Sequence, residues 1–266
     1  MSSDRRTFLK SAALATAATA LGGLPVEAAQ IAGPRDYIEL RAYRFKPGTP
    51  HTLLDGYLEK ALIPALNRRG IRAVGAFTEP EAKDGPALWV LIPHNSLATL
   101  QNVTAAINVD PAVVAAGRDY LQSPTKDNPA FDRIDSWLYH SFSGRPRLMV
   151  PALARNRQAR VLELRTYESF SELKALKKIA MFNAGEIEVM HRVGLAPVFY
   201  GQGLVGSDLP HLAYLLCSAD RATHDTNWKA FLDDAVWKRL VADSQYANTV
   251  SKITSRFLVP TEYSQI

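Results

Sequence analysis

One cysteine in 266 residues closes several lines of explanation at once. Cys217 has no second thiol to pair with, so no intramolecular disulfide staples the fold. Its neighbours Tyr214-Leu215-Leu216 place it on a buried strand as a small hydrophobe, and no flanking motif activates it as a nucleophile. There is no phosphate loop, dinucleotide fingerprint or serine-nucleophile elbow, which leaves nucleotide-binding and serine-hydrolase readings without support. The six histidines, His51, His94, His140, His191, His211 and His224, fall at no zinc spacing. A strong charge of one sign is lacking too: 31 Lys and Arg stand against 26 Asp and Glu, a net charge of +5. The one dense basic stretch, Arg145 to Arg160, is interleaved with Pro146 and Pro151 and reads as a solvated linker. It offers no base-stacking aromatics, so no nucleic-acid partner is expected.

Nor is there an apolar run that would cross a bilayer comfortably. The nearest, Ser11 to Leu24, is short and rich in small residues, and it follows Arg5-Arg6-Thr7-Phe8-Leu9-Lys10. That pairing is a twin-arginine export signal. Val26-Glu27-Ala28 supplies the cleavage point, so residues 1–28 are set apart from the fold and a periplasmic or secreted location is expected. No cysteine lies near that point, which argues against a lipoprotein anchor. The chain as a whole is 47% apolar and 21% charged, as in ordinary globular proteins. It is long enough for one large domain or two of about 110 residues.

What is present is a duplication. An offset of 124 residues carries Ile38-Glu39-Leu40-Arg41-Ala42-Tyr43 onto Leu162-Glu163-Leu164-Arg165-Thr166-Tyr167. The same offset carries Gly70-Ile71 onto Gly194-Leu195, Pro86-x-Leu88 onto Pro210-x-Leu212, Asp110 onto Asp234 and Asp119 onto Asp243. Two tandem units follow, over residues 29–145 and 160–266, with a linker at 146–159.

Each unit reads βαββαβ. In the first, residues 37–44 alternate as a strand, and apolar residues recur at helical spacing from Thr52 to Arg69, with Gly70 as the stop. Strands at 71–78 and 88–92 make a hairpin around Glu79 to Pro86. A helical region at 96–122, broken at Asp110-Pro111, and a strand at 134–142 complete it. The second unit repeats this with strands at 161–167, 196–201, 211–217 and 252–259 and helical regions at 172–193 and 221–247. The expected class is α+β: two ferredoxin-like units, each a four-stranded antiparallel sheet with helices on one face. Their bare faces pack together as an eight-stranded barrel with helices outside, because an apolar sheet face left in water is costly.

On the first strand, Ile38, Leu40 and Ala42 share one face and Glu39, Arg41 and Tyr43 the other. If the apolar trio packs under the helices, Glu39, Arg41, Tyr43, Glu163, Arg165 and Tyr167 converge inside the barrel. A buried charge must find a partner. Either Glu and Arg neutralise each other and hold the strands in register, or Arg41 and Arg165 hold an anionic or carbonyl-bearing small molecule. In a reaction, a glutamate with a raised pKa would accept the proton and a tyrosine would donate one.

The Glu-Leu-Arg-x-Tyr strand, the glycine ending the first helix, and Asn227-Trp228-Lys229-Ala230-Phe231 followed by Asp234-Ala235-Val236-Trp237 resemble the NIPSNAP family of the dimeric α/β-barrel superfamily. The resemblance runs over nearly the whole mature chain and is clearer in the second unit. The first has Thr104, Ile107 and Val113 where the second has Trp228, Phe231 and Trp237, which read as core packing. What the resemblance implies is a barrel interior open to small molecules. Family members include interaction and sensing factors, and superfamily relatives include cofactor-free monooxygenases, haem enzymes and small aromatic-compound isomerases. Three functions are carried forward: binding, with or without conversion, of a small organic molecule; a non-catalytic interaction module; and a monooxygenase-like enzyme, haem-dependent or cofactor-free. No cofactor is expected from the residues; for haem the histidines to examine are His191, His140 and His94. Glu188-x-x-His191 places two metal-ligand types on one helical face, but its counterparts Pro64 and Asn67 give no second copy, so no metal is expected. Duplication removes the need to dimerise for barrel closure, while further assembly through the helices stays open.

Overall fold

The structure, a computed structural model, describes residues 33–266. The expected export signal over residues 1–28 lies outside them. The first unit lays down β1 (Tyr37–Arg44), a helix over 52–68, β2 (Gly75–Thr78), β3 (Ala87–His94), the helices Leu97–Ala106, Pro111–Ala116 and Arg118–Gln122, and β4 (Arg133–Ser141). The second gives β5 (Val161–Glu168), a helix over 172–192, β6 (Pro197–Val205), β7 (His211–Ser218), the helices Arg221–Asp233 and Ala235–Ala242, and β8 (Lys252–Pro260).

The duplicated signals act alike in both units. Gly70 and Gly194 stop the long helices at φ +86° and +83°, where a Cβ would be strained. Asp110 accepts from the Ala112 backbone N–H at 2.9 Å and Asp234 from that of Val236 at 2.8 Å, each capping the helix that follows it. The same carboxylates pair with Arg69 at 2.8 Å and Arg192 at 2.6 Å, tying each cap to the end of the preceding long helix. Two strands differ from expectation: β6 runs on to Val205, past 201, and β2 begins at Gly75, not 71. The C-terminal segment takes the backbone there, with Gln265 Oε1 accepting from Val74 at 3.1 Å and Ser264 Oγ from Ala76 at 3.0 Å.

The eight strands close into one antiparallel barrel in the order β1-β3-β2-β8-β5-β7-β6-β4. The units join where β2 meets β8, pairing Phe77 with Pro260, and where β4 meets β6, pairing Ser141 with Gly201. Closure leaves no sheet edge to aggregate.

The faces of β1 and β5 are the reverse of those expected. Ile38, Leu40 and Ala42 pack with Leu162, Leu164, Leu215 and Leu258 in a core shared by both units, and this core is the barrel interior. Tyr43 instead lies with Leu54, Leu58 and Leu62 of the helix over 52–68, and Tyr167 with Phe182, Ile187 and Phe231. Glu39, Arg41, Tyr43 and their duplicates therefore face the helices, not the interior. Both faces of these strands are covered, so alternation alone carries no sign for which side is inside.

The linker also departs from a solvated connector. Leu148 and Leu153 pack against the interior core, and the last residue, Ile266, is fully buried in it. Leu148 N–H donates to Asp36 at 2.9 Å, Met149 N–H to the Val198 carbonyl at 2.9 Å, and Arg160 to the Ile266 backbone oxygen at 2.7 Å. A short helix, Ala152–Arg155, completes this plug over one end of the barrel.

Candidate functional site

The six residues singled out from the strands form two separate groups, one per unit, rather than one shared space. In the first, Arg41 pairs with Glu39 at 2.6 Å, and the other Glu39 oxygen meets His94 Nε2 at 3.2 Å. In the second, Glu163 takes three partners: Arg165 at 2.8 Å, His224 Nε2 at 2.8 Å and Ser255 Oγ at 2.5 Å. Burial pushes both carboxyls up, but the histidine hydrogen bonds and the arginine charges outweigh it and leave both below the ordinary range. The expected proton acceptor with a raised pKa is therefore neither Glu39 nor Glu163. His224 is the counterpart: burial opposes its charge, yet the bonds to Glu163 and Asp225 raise its pKa. Arg165 lies 4.3 Å from the Trp228 ring centroid, so this aromatic packs over the ion pair as well as in the core. Each Arg is held by its own Glu, the arrangement that marks a structural pairing.

The glutamate that burial does push up was not singled out. Glu186 is fully buried and accepts from Lys178 Nζ at 2.8 Å, and its Oε1 has no partner among the described residues. Around the pair stand Tyr167, Phe182 and Trp237, 4.8 to 5.6 Å from the ammonium. At the equivalent places the first unit has Leu54 and Leu62, both buried.

The barrel interior opens at the end opposite the plug. There lies a cavity of about 310 Å³, floored by Leu40 and Leu164 and walled by Trp89, Trp137 and Tyr139. The two indoles stack at 5.8 Å with 20° between their planes. Tyr139 and His211 fit only because β6 carries glycines here. A Cβ at Gly201 would stand 2.5 Å from Tyr139 Cβ, and one at Gly203 2.8 Å from His211 Nε2. The Asp208 carbonyl, 3.1 Å from His211 Nδ1, can only accept, so Nδ1 carries the proton and Nε2 accepts from the Tyr139 hydroxyl at 3.2 Å. Burial lowers the imidazole pKa and raises that of the phenol, so the dyad is uncharged near neutrality.

Charged side chains ring this mouth in pairs: Arg44 with Asp135 at 2.9 Å, Lys252 with Glu168 at 2.8 Å, and Arg256 with Glu79 at 2.9 Å and also with Asp84. The Arg44 and Arg256 guanidiniums lie 5.4 and 5.5 Å from the Trp89 ring centroid. The sequence carries a trace of this site, in Asp135-x-Trp137-x-Tyr139 and Lys252-x-Thr254-x-Arg256, polar and aromatic positions sharing one strand face.

Of the histidines raised for haem, His191 is exposed, His140 stacks on Tyr37 at 4.7 Å and His94 is engaged by Glu39. His211, which does line the mouth, is engaged at both ring nitrogens, so the residues there do not fit an axial ligand set. Glu188 is exposed like His191, and among the described residues no group of three or more His, Cys, Asp or Glu could hold a metal ion.

Residues 162–265 match the model of the NIPSNAP family. The second repeat is a NIPSNAP domain. Around it, the whole barrel is similar to known structures. A candidate monooxygenase from Lactobacillus acidophilus, 8% identical, aligns over 85% of this chain and 94% of its own with a TM-score of 0.55. A second, from Fusobacterium nucleatum, is 7% identical over 86% of this chain and 93% of its own, with a TM-score of 0.54. At such identities the likeness is one of fold. A NIPSNAP family protein from Agrobacterium tumefaciens, 15% identical, aligns over 41% of this chain and 91% of its own with a TM-score of 0.37. No curated protein matches the sequence. In the NIPSNAP repeat, Trp228, Phe231 and Trp237 pack on one another at 5.2 and 4.5 Å, in the core as the sequence suggested.

Proposed function

We propose that this protein binds a small organic molecule in the open mouth of its barrel. The observation that carries the reading is the cavity of about 310 Å³, at the lower end of the range for small-molecule sites. It has an apolar floor, a stacked indole wall and a few polar groups of fixed orientation, the usual make-up of such sites. Both repeats contribute to it, Trp89 and Trp137 from the first and His211 and Arg256 from the NIPSNAP repeat. The fold shared with two candidate monooxygenases supports a small-molecule site and chooses no reaction. If conversion follows binding, Tyr139 and His211 are the groups placed to give and take a proton, since both line the cavity. In the same proposal the twin-arginine signal exports the protein, which places the site outside the cytoplasm. The roles weighed for Arg41 and Arg165 give way to this site because both face the helices and neither lines the cavity.

The test is quenching of tryptophan fluorescence by 2-naphthol, a flat neutral probe. Thr254, whose side chain lines the cavity, is changed to Phe to fill it. Saturable quenching that disappears in Thr254→Phe is expected; equal quenching in both proteins would remove the mouth as the site. A second reading, an interaction module, has one observation behind it. Phe170, Leu173 and Leu176 are 68%, 64% and 49% exposed around the start of the helix over 172–192. If that patch were the working surface, Leu173→Glu would change the assembly state on size exclusion and leave naphthol binding untouched.

A further inference from the structure

The two carboxylates that hold Arg256 are unlike, and the difference points to the class of ligand. Glu79 is a fixed partner: its side chain is 3% exposed, and it accepts from Arg256 Nη1 at 2.9 Å and from Trp89 Nε1 at 2.9 Å. Asp84 is a removable one. It stands in the turn between β2 and β3, its side chain is 57% exposed, and Arg256 is its only side-chain partner among the described residues. Yet it lines the cavity. Its carboxylate therefore sits on a guanidinium facing the mouth while belonging to a surface turn.

We propose that the mouth takes a small planar organic monoacid whose carboxylate replaces that of Asp84 on Arg256. The proposal rests on the mouth being the binding site. Exchange of one carboxylate for another leaves no guanidinium unpaired, so the desolvation cost that opposes burying a charge is met by a partner already in place. Arg256 has its two terminal nitrogens committed to different carboxylates, and release of Asp84 frees Nη2 while Glu79 keeps the side chain aimed. Arg44, paired with Asp135, lies over the same indole and keeps a second guanidinium beside the site. The stacked Trp89 and Trp137 give the flat surface that a ring prefers. Asp208 lines the rest of the mouth with no ion-pair partner among the described residues and would repel a second carboxylate, and Lys252 is already taken by Glu168, so the class is a monoacid rather than a diacid.

Benzoate, benzamide and benzylamine are the probes, titrated against the whole protein with tryptophan fluorescence as the readout and 2-naphthol as the neutral reference. Benzoate is expected to bind more tightly than benzamide, and Asp84→Asn, which removes the competing charge, to tighten benzoate roughly tenfold. Arg256→Gln is expected to lose benzoate and keep naphthol. Should Arg256→Gln fail to fold because Glu79 is left unpaired, Asp84→Asn at an exposed position decides alone. Unchanged or weaker benzoate binding in Asp84→Asn, or tighter binding of benzylamine than of benzoate, would overturn the proposal while naphthol binding keeps the mouth as a site. Absence of binding by every probe, naphthol included, would overturn both readings.

Discussion

Lys178 and Glu186 make a buried ion pair that the first repeat does without, and its removal can be predicted in some detail. Replacing Lys178 by Leu, the residue at equivalent position 54, takes from Glu186 its only hydrogen-bonded counter-charge among the described residues, in a fully buried place. Breaking such a pair from one side costs about 3–5 kcal/mol, a large part of the ~5–15 kcal/mol total of an ordinary domain. The carboxyl has one escape, which is to take up a proton. From an ordinary value of 4.5, that costs about 3.4 kcal/mol at pH 7 and about 0.7 kcal/mol at pH 5. Protonation of Glu186 should therefore raise the stability of Lys178→Leu itself by about 2–3 kcal/mol on going from pH 7 to pH 5. The double variant Lys178→Leu/Glu186→Leu copies the first repeat and should lie within ~1 kcal/mol of wild type or above it, because well-packed apolar residues often replace a buried pair without loss. Urea unfolding followed by tryptophan fluorescence at both pH values reads all three proteins. The reasoning fails if the single variant loses under ~1 kcal/mol at pH 7, if its own stability does not rise toward the lower pH, or if the double variant is as unstable as the single one.

Three further outcomes follow from the packing and the charges. The Glu163–His224 contact gives a stability profile with two limbs. Glu163, depressed in the fold, contributes fully above its ordinary value of 4.5 and loses that as pH falls through its lower folded value. His224, raised in the fold, contributes fully below 6.5 and loses that as pH rises through its higher folded value. His224→Gln should flatten the alkaline limb of Tm against pH, and an unchanged slope above pH ~6.5 would count against it. Ile266→Ala should cost about 2–5 kcal/mol in urea unfolding, since the side chain is fully buried in the barrel plug; a loss under ~0.5 kcal/mol would show that it is not. Cys217 is buried and burial pushes its thiol up to about 11, so it should be unreactive toward a disulfide reagent at pH ~8 in the native protein and react on unfolding.

Most of the fold was legible because its signals are local and doubled. The glycine stops at Gly70 and Gly194 and the caps at Asp110 and Asp234 each need only neighbouring backbone to act, and one offset aligns them. The barrel followed from a simple cost, that of an uncovered sheet face. The site was not legible because β1 and β5 are covered on both sides. Where Ile38, Leu40 and Ala42 alternate with Glu39, Arg41 and Tyr43, the pattern gives the parity but not which parity is interior. Glu and Arg two residues apart on one strand face can neutralise each other, so charge was no guide either. Lys178 sits in a run with Lys174 and Lys177, and nothing in that run distinguishes the buried one. The mouth residues come from separate strands of both repeats, and only closure of the barrel brings Arg44, Trp89, Trp137, His211 and Arg256 together.

The four tryptophans divide evenly between the two places where a ligand could act. Trp89 and Trp137 line the mouth, whereas Trp228 and Trp237 lie among the helices over the outer face of the NIPSNAP repeat, where Trp228 covers Arg165. The direct measurement is the set of indole ¹⁵N–¹H resonances, assigned by single Trp→Phe variants and followed while 2-naphthol is added. Saturable shifts of Trp89 and Trp137 with Trp228 and Trp237 unmoved are what the account predicts. Shifts of Trp228 and Trp237 with the mouth pair unmoved would contradict it and return the site to Arg165 and its neighbours.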